Sequence, residues 1–248
     1  MIKSYLQFFA ALSAIVILTS HHLNAKEETL HNNYESAIEH PKRLKSDFEN
    51  DVKRKPSLIL PFTQIEKGNK VLELGAVGGY TTELISWLVG DSGKVYAHFL
   101  YNEERLNNDR LSNVVPLRQH SLLELNTVLT ENNINENALD SVVIFFILHD
   151  IYLNKEMDEK LLQTLYVSLK PGGTIVVLDN AAMEGSGLEA IGTLHRIDED
   201  FVISEFKRFG FVLDGTSKVL RNKNDDHTKP WGDFEGLQDR FAFRFKKP

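Results

Sequence analysis

Three stretches gather the side chains that could do chemistry. Ile147-Leu-His-Asp150 sets a histidine and a carboxylate at the end of the apolar run Ser141–Ile147. Such a run fits a strand buried on both faces, so His149 and Asp150 leave the core at the mouth of a sheet. Histidine titrates near neutral pH and suits proton acceptance. The bland alternative is a histidine that caps the strand and bonds to backbone. On the catalytic reading His149→Ala is expected to abolish turnover and leave thermal melting nearly unchanged. Asp179-Asn180 follows a second apolar run, and Thr193-Leu-His-Arg-Ile-Asp198 supplies His195 and Arg196. Arg196 could fork onto a substrate carboxylate. Equally, this segment could precede and cap a helix, with Asp198 as its first-turn acid. Together His149, Asp150, Asp179 and His195 offer nitrogen and oxygen ligand atoms. No short ligand spacing such as HExxH accompanies them, and no metal is expected.

A different signal lies in Val71-Leu-Glu-Leu-Gly-Ala-Val-Gly-Gly-Tyr-Thr-Thr-Glu-Leu-Ile85. An apolar strand runs into a glycine turn and then into an amphipathic helix. This pattern brings backbone against the polar half of a nucleotide-like ligand. The glycines permit tight turning, and the helix start offers free N–H groups. A nicotinamide dehydrogenase is disfavoured, because Val77 breaks the GxGxxG fingerprint and no ribose acid follows about 20 residues on.

The elements that must position these residues alternate. Strands are expected at Val71–Leu74, Val95–Phe99, Val114–Leu117, Ser141–Ile147, Thr174–Leu178, Phe211–Lys218 and Phe241–Phe245. Helices are expected at Thr81–Leu88, Glu103–Arg110, Leu122–Thr130, Lys155–Leu169 and Asp198–Phe209. Alternation of strand and helix implies an α/β, Rossmann-like, seven-stranded and mostly parallel sheet with helices on both faces. Ligands of such sheets sit outside the carboxyl ends of the strands. Ser121 there could contact a ligand, or cap the helix at Leu122 with Glu124 completing a capping box. Glu184-Gly-Ser-Gly187 could form a lid, and Trp231-Gly-Asp-Phe234 could cover a substrate or pin its loop.

Composition narrows the partners. The chain has 248 residues, 42% of them hydrophobic, with a formal charge of −7 and no basic stripe. Nucleic acid is therefore not an expected partner, and a small-molecule substrate is favoured. The absence of cysteine excludes disulfides and thiolate sites. Lys3, the apolar run Tyr5–Leu18 and the ending Leu23-Asn-Ala25 read as a secretory signal peptide cleaved after Ala25. The run is shorter than the about 20 residues of a membrane span. The expected organisation is a signal over residues 1–25, a partly helical leader over 26–55 and the α/β domain over 56–248. The expected location is periplasmic or secreted, with no membrane association after cleavage.

The glycine turn, Gly93-Lys-Val-Tyr-Ala97 and Leu169-Lys-Pro-Gly-Gly-Thr-Ile-Val-Val-Leu178, in this order, resemble class I S-adenosylmethionine-dependent methyltransferases. The resemblance runs from about Leu58 to the C-terminus. It is closest to a group of exported predicted methyltransferases, similar at His40-Pro41, Arg54-Lys-Pro56, Leu148-His-Asp-Ile-Tyr152, Thr193–Asp198 and Asp239-Arg-Phe241. It implies methyl transfer from S-adenosylmethionine to a small molecule or exposed side chain. The implied cofactor contacts are Glu73, Gly75, Gly78, Gly79, Tyr80, Phe99 and Ser121. The implied catalytic face is His149, Asp150 and His195. Two positions depart from the family pattern. Val77 replaces the middle glycine, where a β-branched residue resists positive φ. Phe99 replaces the acid that receives the ribose hydroxyls. These departures keep open a binding protein that retains the fold without catalysis.

Overall fold

Short runs of valine, isoleucine and leucine become the strands of one sheet, because residues of this shape fit a pleated surface covered on both sides. A computed structural model describes residues 29, 31–102, 105, 110–117, 121–154 and 159–248. The segment read as an export signal lies outside these residues, as do most of the helix expected at Glu103–Arg110 and the start of that expected at Lys155–Leu169. The strands are β1 (Lys70–Leu74), β2 (Lys94–His98), β3 (Val114–Leu117), β4 (Leu139–Phe145), β5 (Leu169–Asn180), β6 (Val212–Ser217) and β7 (Arg240–Lys246). Their order is β3-β2-β1-β4-β5-β7-β6. All neighbours pair parallel except β7, which runs antiparallel to both β5 and β6. The expected Rossmann-like sheet is therefore present, and its last two strands pair with each other.

Alternating side chains build two cores. Leu72, Leu74, Val142, Ile144, Ile175 and Val177 point to one face. The helices Leu125–Glu131, Glu159–Ser168 and Glu199–Arg208 cover it. Val71, Val143 and Val176 point to the other, under the helices Pro56–Thr63 and Tyr80–Val89. Tyr34 and Ala37, from helical residues 31–38, join this second core. The stretch read as a leader is thus part of the body of the domain, anchored by apolar burial rather than trailing from it. Polar contacts reinforce the attachment: Asp47 pairs with Arg105 at 2.8 Å and Asp51 accepts from the Tyr80 hydroxyl at 2.5 Å.

Several boundaries moved. β4 ends at Phe145 rather than Ile147, because Phe146 turns into the left-handed region at φ 59°. Leu148–Leu153 then forms a short helix. β7 is buried on both faces because it lies inside the sheet, between β5 and β6. Among the described residues no helix is long and apolar enough to cross a membrane.

Candidate functional site

The rim at the carboxyl ends of β1 and β2 is tied by a short backbone ladder. Ala76 N–H donates to the His98 carbonyl at 2.8 Å, Val77 N–H to that of Phe99 at 3.1 Å, and Tyr101 N–H to that of Val77 at 3.2 Å. Val77 and Phe99 both hold positive φ, 50° and 61°. The two departures from the family pattern are therefore one structural feature, each supporting the other. The valine does enter the region it resists, at a strain of order 1–3 kcal/mol that the ladder offsets. Gly75 and Gly79 are needed for space as well as angle. A Cβ on Gly75 would lie 2.7 Å from Ile147 Cγ1, and one on Gly79 would lie 2.8 Å from Leu100 Cδ1.

Beside this turn lies a hollow of about 420 Å³ walled by Glu73, Gly75, Val77, Gly78, Gly79 and Tyr80, with Asp47, Asn50 and Arg54 from the N-terminal segment. That volume falls within the roughly 300–1,000 Å³ of small-ligand sites. Two expected ligand contacts are not among the described residues of this wall. Phe99 packs edge-on against Tyr101, with 5.7 Å between ring centroids. Ser121 is a helix cap, its hydroxyl oxygen accepting from Leu123 N–H at 3.2 Å. Tyr80 lines the hollow, but its hydroxyl donates to Asp51 at 2.5 Å. Arg105 also lines this wall and braces the turn, donating to the Gly78 carbonyl at 2.6 Å and pairing with Asp47 and Glu83. Glu73 sits on the Val71 face of β1, buried, and accepts from the Thr82 hydroxyl at 2.5 Å. Burial pushes its carboxyl up to about 7, against the opposing pull of Thr82, Arg54 and Arg105.

A second hollow, of about 530 Å³, shares Asn50, Arg54 and Phe146 with the first. His149, Asp150 and His195 all line it. His149 stands in the first turn of the helix Leu148–Leu153 rather than on the strand. Its ring Nδ1 lies 2.8 Å from Asp179 Oδ1, and its own backbone N–H donates to Asp179 Oδ2 at 2.9 Å. Asn180 N–H also donates to Asp179 Oδ1 at 2.8 Å. With both oxygens already accepting, Asp179 takes the Nδ1 proton and leaves Nε2 as the acceptor. Burial opposes charging of His149, but Asp179 by charge and hydrogen bond, and Asp150 by charge, outweigh it and raise the pKa. His195 Nδ1 lies 3.2 Å from Asp150 Oδ1. Ligand atoms of His149, Asp150 and His195 fall within 4.8 Å of one another. That spacing suits a divalent cation as well as a proton relay.

The structure revises other expectations. Removing the His149 ring strips buried Asp179 of its side-chain partner, so His149→Ala should lower melting, contrary to the sequence reading. Arg196 does not face substrate. It is fully buried and forks onto Asp225 at 2.8 and 3.1 Å, and it donates to the carbonyls of Ala181 and Lys229. Asp198 caps the next helix through Phe201 N–H at 3.0 Å. The Glu184–Gly187 turn lies outside both described walls, whereas Trp231 lines the larger hollow. Asn50, Arg54, Gln238 and Arg240 also line it, and residue chemistry did not single them out. Arg54 and Arg240 had been named only within the resemblance, in Arg54-Lys-Pro56 and Asp239-Arg-Phe241.

No family model matches the chain. It is 28% identical over 116 residues to the ubiquinone/menaquinone biosynthesis C-methyltransferase UbiE of Cronobacter sakazakii (strain ATCC BAA-894). The match covers 46% of this chain and 44% of that protein, less than half of either. Among solved structures, a SAM dependent methyltransferase from Aquifex aeolicus superposes with a TM-score of 0.57 at 21% identity, over 82% of this chain and 96% of that one. A putative methyltransferase of Haloferax volcanii, solved in complex with the Trm112 methyltransferase activator, gives 0.58 at 15% identity, over 82% and 93%. A putative sarcosine dimethylglycine methyltransferase from Galdieria sulphuraria gives 0.55 at 20%, over 78% and 87%. The fold is that of the class I methyltransferases.

The buried Glu73 makes stability depend on pH. Its folded pKa of about 7 exceeds the ordinary 4.5, so the folded state holds an extra proton between those values. This contribution is complete below about pH 4.5 and is lost as pH rises through 7, amounting to roughly 3 kcal/mol. Glu73→Gln should therefore raise melting relative to wild type at pH 8 more than at pH 5. Equal differences at the two pH values would refute the assignment.

Proposed function

We propose that the chain is a methyltransferase that transfers a methyl group from S-adenosylmethionine to a small-molecule acceptor. The observation that carries this reading is the junction of the two hollows at Asn50, Arg54 and Phe146, with the glycine turn on one side and the His149–Asp179 pair on the other. The class I fold and the similarity to a C-methyltransferase support it. A binding protein without catalysis is less favoured, because Val77 and Phe99 leave the hollow open.

S-adenosylmethionine supplies an electrophilic methyl carbon on a sulfonium sulfur. The chain's own residues do the rest. Gly75 and Gly79 let the turn fold tightly beside the ligand. The Glu73 carboxyl in the wall of the smaller hollow is drawn to its ionised form by a cationic ligand. The larger hollow would hold a hydroxyl or amine of the acceptor facing that carbon. Transfer would break the carbon–sulfur bond with its electron pair going to sulfur, and His149 Nε2 would take the acceptor's proton. Asp179 fixes the tautomer that makes Nε2 basic, and Asp150 holds His195 across the mouth. Alignment of acceptor and methyl in adjoining hollows supplies several kcal/mol of the acceleration.

Calorimetry with S-adenosylmethionine, which carries the sulfonium charge, should give one site per chain. Near pH 6.5 binding should release protons, seen as a dependence of the measured heat on buffer ionisation, and Glu73→Gln should abolish that release. No heat at millimolar ligand would overturn the cofactor reading. For the proton acceptor, NMR titration of the imidazole signals should place His149 above the ordinary value of 6.5. Asp179→Asn should move it down, because the largest raising charge is gone. Spectra that change on adding EDTA would transfer the role of His149, Asp150 and His195 to a bound cation.

We also propose export of the chain, on the strength of the Tyr5–Leu18 apolar run and the Ala25 site. Mass spectrometry of protein from the native cell envelope should find an N-terminus at Lys26. A mature chain that still begins at Met1 would refute cleavage.

A further inference from the structure

We infer that the larger hollow recognises an oxyanion on the acceptor, a carboxylate or phosphate group, held by Arg240 with Arg54. The word acceptor rests on the methyl-transfer reading; the binding claim does not. Arg240 opens β7 and is 4% exposed. Its Nη2 donates to the Lys53 carbonyl at 2.9 Å, while its Nε is buried without a hydrogen-bond partner. Arg54 ends the helix Phe48–Arg54, its guanidinium 4.7 Å from the Tyr80 ring centroid. Both guanidiniums lie 5.5 Å from the Phe146 ring centroid, so one aromatic ring carries two cations.

The rest of the chain shows how unusual this is. Every other described arginine pairs with a carboxylate: Arg43 with Asp51, Arg105 with Asp47, Arg110 and Arg105 with Glu83, Arg196 with Asp225, Arg208 with Glu205, Arg221 with Asp239 and Arg244 with Asp214. Among the described residues, no carboxylate lies within ion-pair distance of Arg54 or Arg240. Burial and then the charge of Arg54 lower the Arg240 pKa to about 10, with Asp239 opposing. Two neighbouring cations withdrawn from water without a counter-ion are costly, and a bound anion removes the cost. Guanidinium donors suit the oxygens of a carboxylate or phosphate.

The surroundings agree with a ligand of two ends. Lys53 adds a third positive charge to the wall, and Asp150 and Glu235 add negative charge. Gln238 donates to Asn180 Oδ1 at 2.8 Å, and its own Oε1 is buried without a partner, free to accept from the ligand. Glu73 is drawn toward its neutral form by burial and bonds to Thr82, so it does not serve as the missing counter-ion. An acceptor anchored by its oxyanion at Arg240 would present its hydroxyl or amine toward His149, which lines the same hollow.

The test uses protein saturated with S-adenosylhomocysteine, which fills any site for the cofactor's own carboxylate. 4-Hydroxybenzoate, phenyl phosphate and the neutral 4-hydroxybenzamide are then titrated by calorimetry and thermal shift. The expected result is binding of at least one anion and none of the amide. Arg240→Gln and Arg54→Gln should each weaken it about tenfold or more, the loss of one charge-assisted contact. Arg240→Gln should keep S-adenosylhomocysteine affinity. Without anion it should melt at or above the wild-type temperature, since a merely structural arginine would lower it. Equal binding of the amide, indifference to Arg240→Gln, or displacement of the anions by S-adenosylhomocysteine would each overturn the inference. If S-adenosylhomocysteine itself fails to bind, the anions are titrated on the protein alone. Arginine-dependent binding there sustains the oxyanion site while methyl transfer falls, and its absence removes both.

Discussion

The functional rim depends on the backbone ladder that joins residues 76–77 to residues 98–101. Parallel strands end with their carbonyls pointing outward, and nothing in the sheet dictates what the chain does next. Here Ala76, Val77 and Tyr101 donate across the gap, extending pairing beyond β1 and β2 by an isolated bridge between Val77 and Leu100. The ladder demands left-handed backbone at Val77 and Phe99, which neither side chain favours. Arg105 then braces the turn through the Gly78 carbonyl, anchored in turn by Asp47 from the N-terminal segment. The hollow stays open because the strain is carried by backbone, leaving the Phe99 ring outside the described wall.

Charge placement follows from the same geometry. The N-terminal residues 31–54 cross the rim, and their polar groups cannot all reach water. Most are neutralised internally: Asp47 by Arg105, and Asp51 by Arg43 and the Tyr80 hydroxyl. On the far side Arg196 and Asp225 form a fully buried pair that ties the Lys229 and Ala181 backbones together. Removal of either partner would leave an uncompensated buried charge, at a cost of about 3–5 kcal/mol. Against this pattern of complete pairing, the exposed mouth at Asp150 and His195 and the unpaired guanidiniums of Arg54 and Arg240 mark where the protein leaves its electrostatics unfinished.

Much of the fold was legible in the sequence. Continuous apolar runs such as Val142–Ile144 can only be strands covered on both sides, and the glycine turn fixes where the sheet opens. His149 and Asp150 were legible for the same reason, because polar residues that end an apolar run must emerge at the rim. Strand ends were less legible: Phe146 and Ile147 are as apolar as the residues before them, and the turn is set by backbone conformation. Arg196 misled because an arginine beside a histidine looks reactive until its partner Asp225, far along the chain, is known. Arg54 and Arg240 stood out only within short stretches that carry the family resemblance, with nothing to show that they face each other. They meet only because the N-terminal segment lies across the end of β7, and no spacing rule relates them.

The two adjoining hollows differ in the charge they leave unpaired, and the difference bears on how two ligands find their places. The smaller one carries Glu73, a carboxyl poised to ionise when a positive charge arrives, beside Arg54 and the mutually paired Asp47 and Arg105. The larger one carries Lys53, Arg54 and Arg240 along one wall and His149 along another. A sulfonium ligand is therefore favoured near the glycine turn and disfavoured beside the arginines, while an anionic acceptor has the opposite preference. Arg54 stands at the boundary and faces both. It lies between Tyr80 and Phe146, and its charge acts on a ligand in either hollow. Segregation of this kind needs no moving part, only that the described carboxylates be kept beyond ion-pair distance of Arg54 and Arg240, which is how the chain has arranged them.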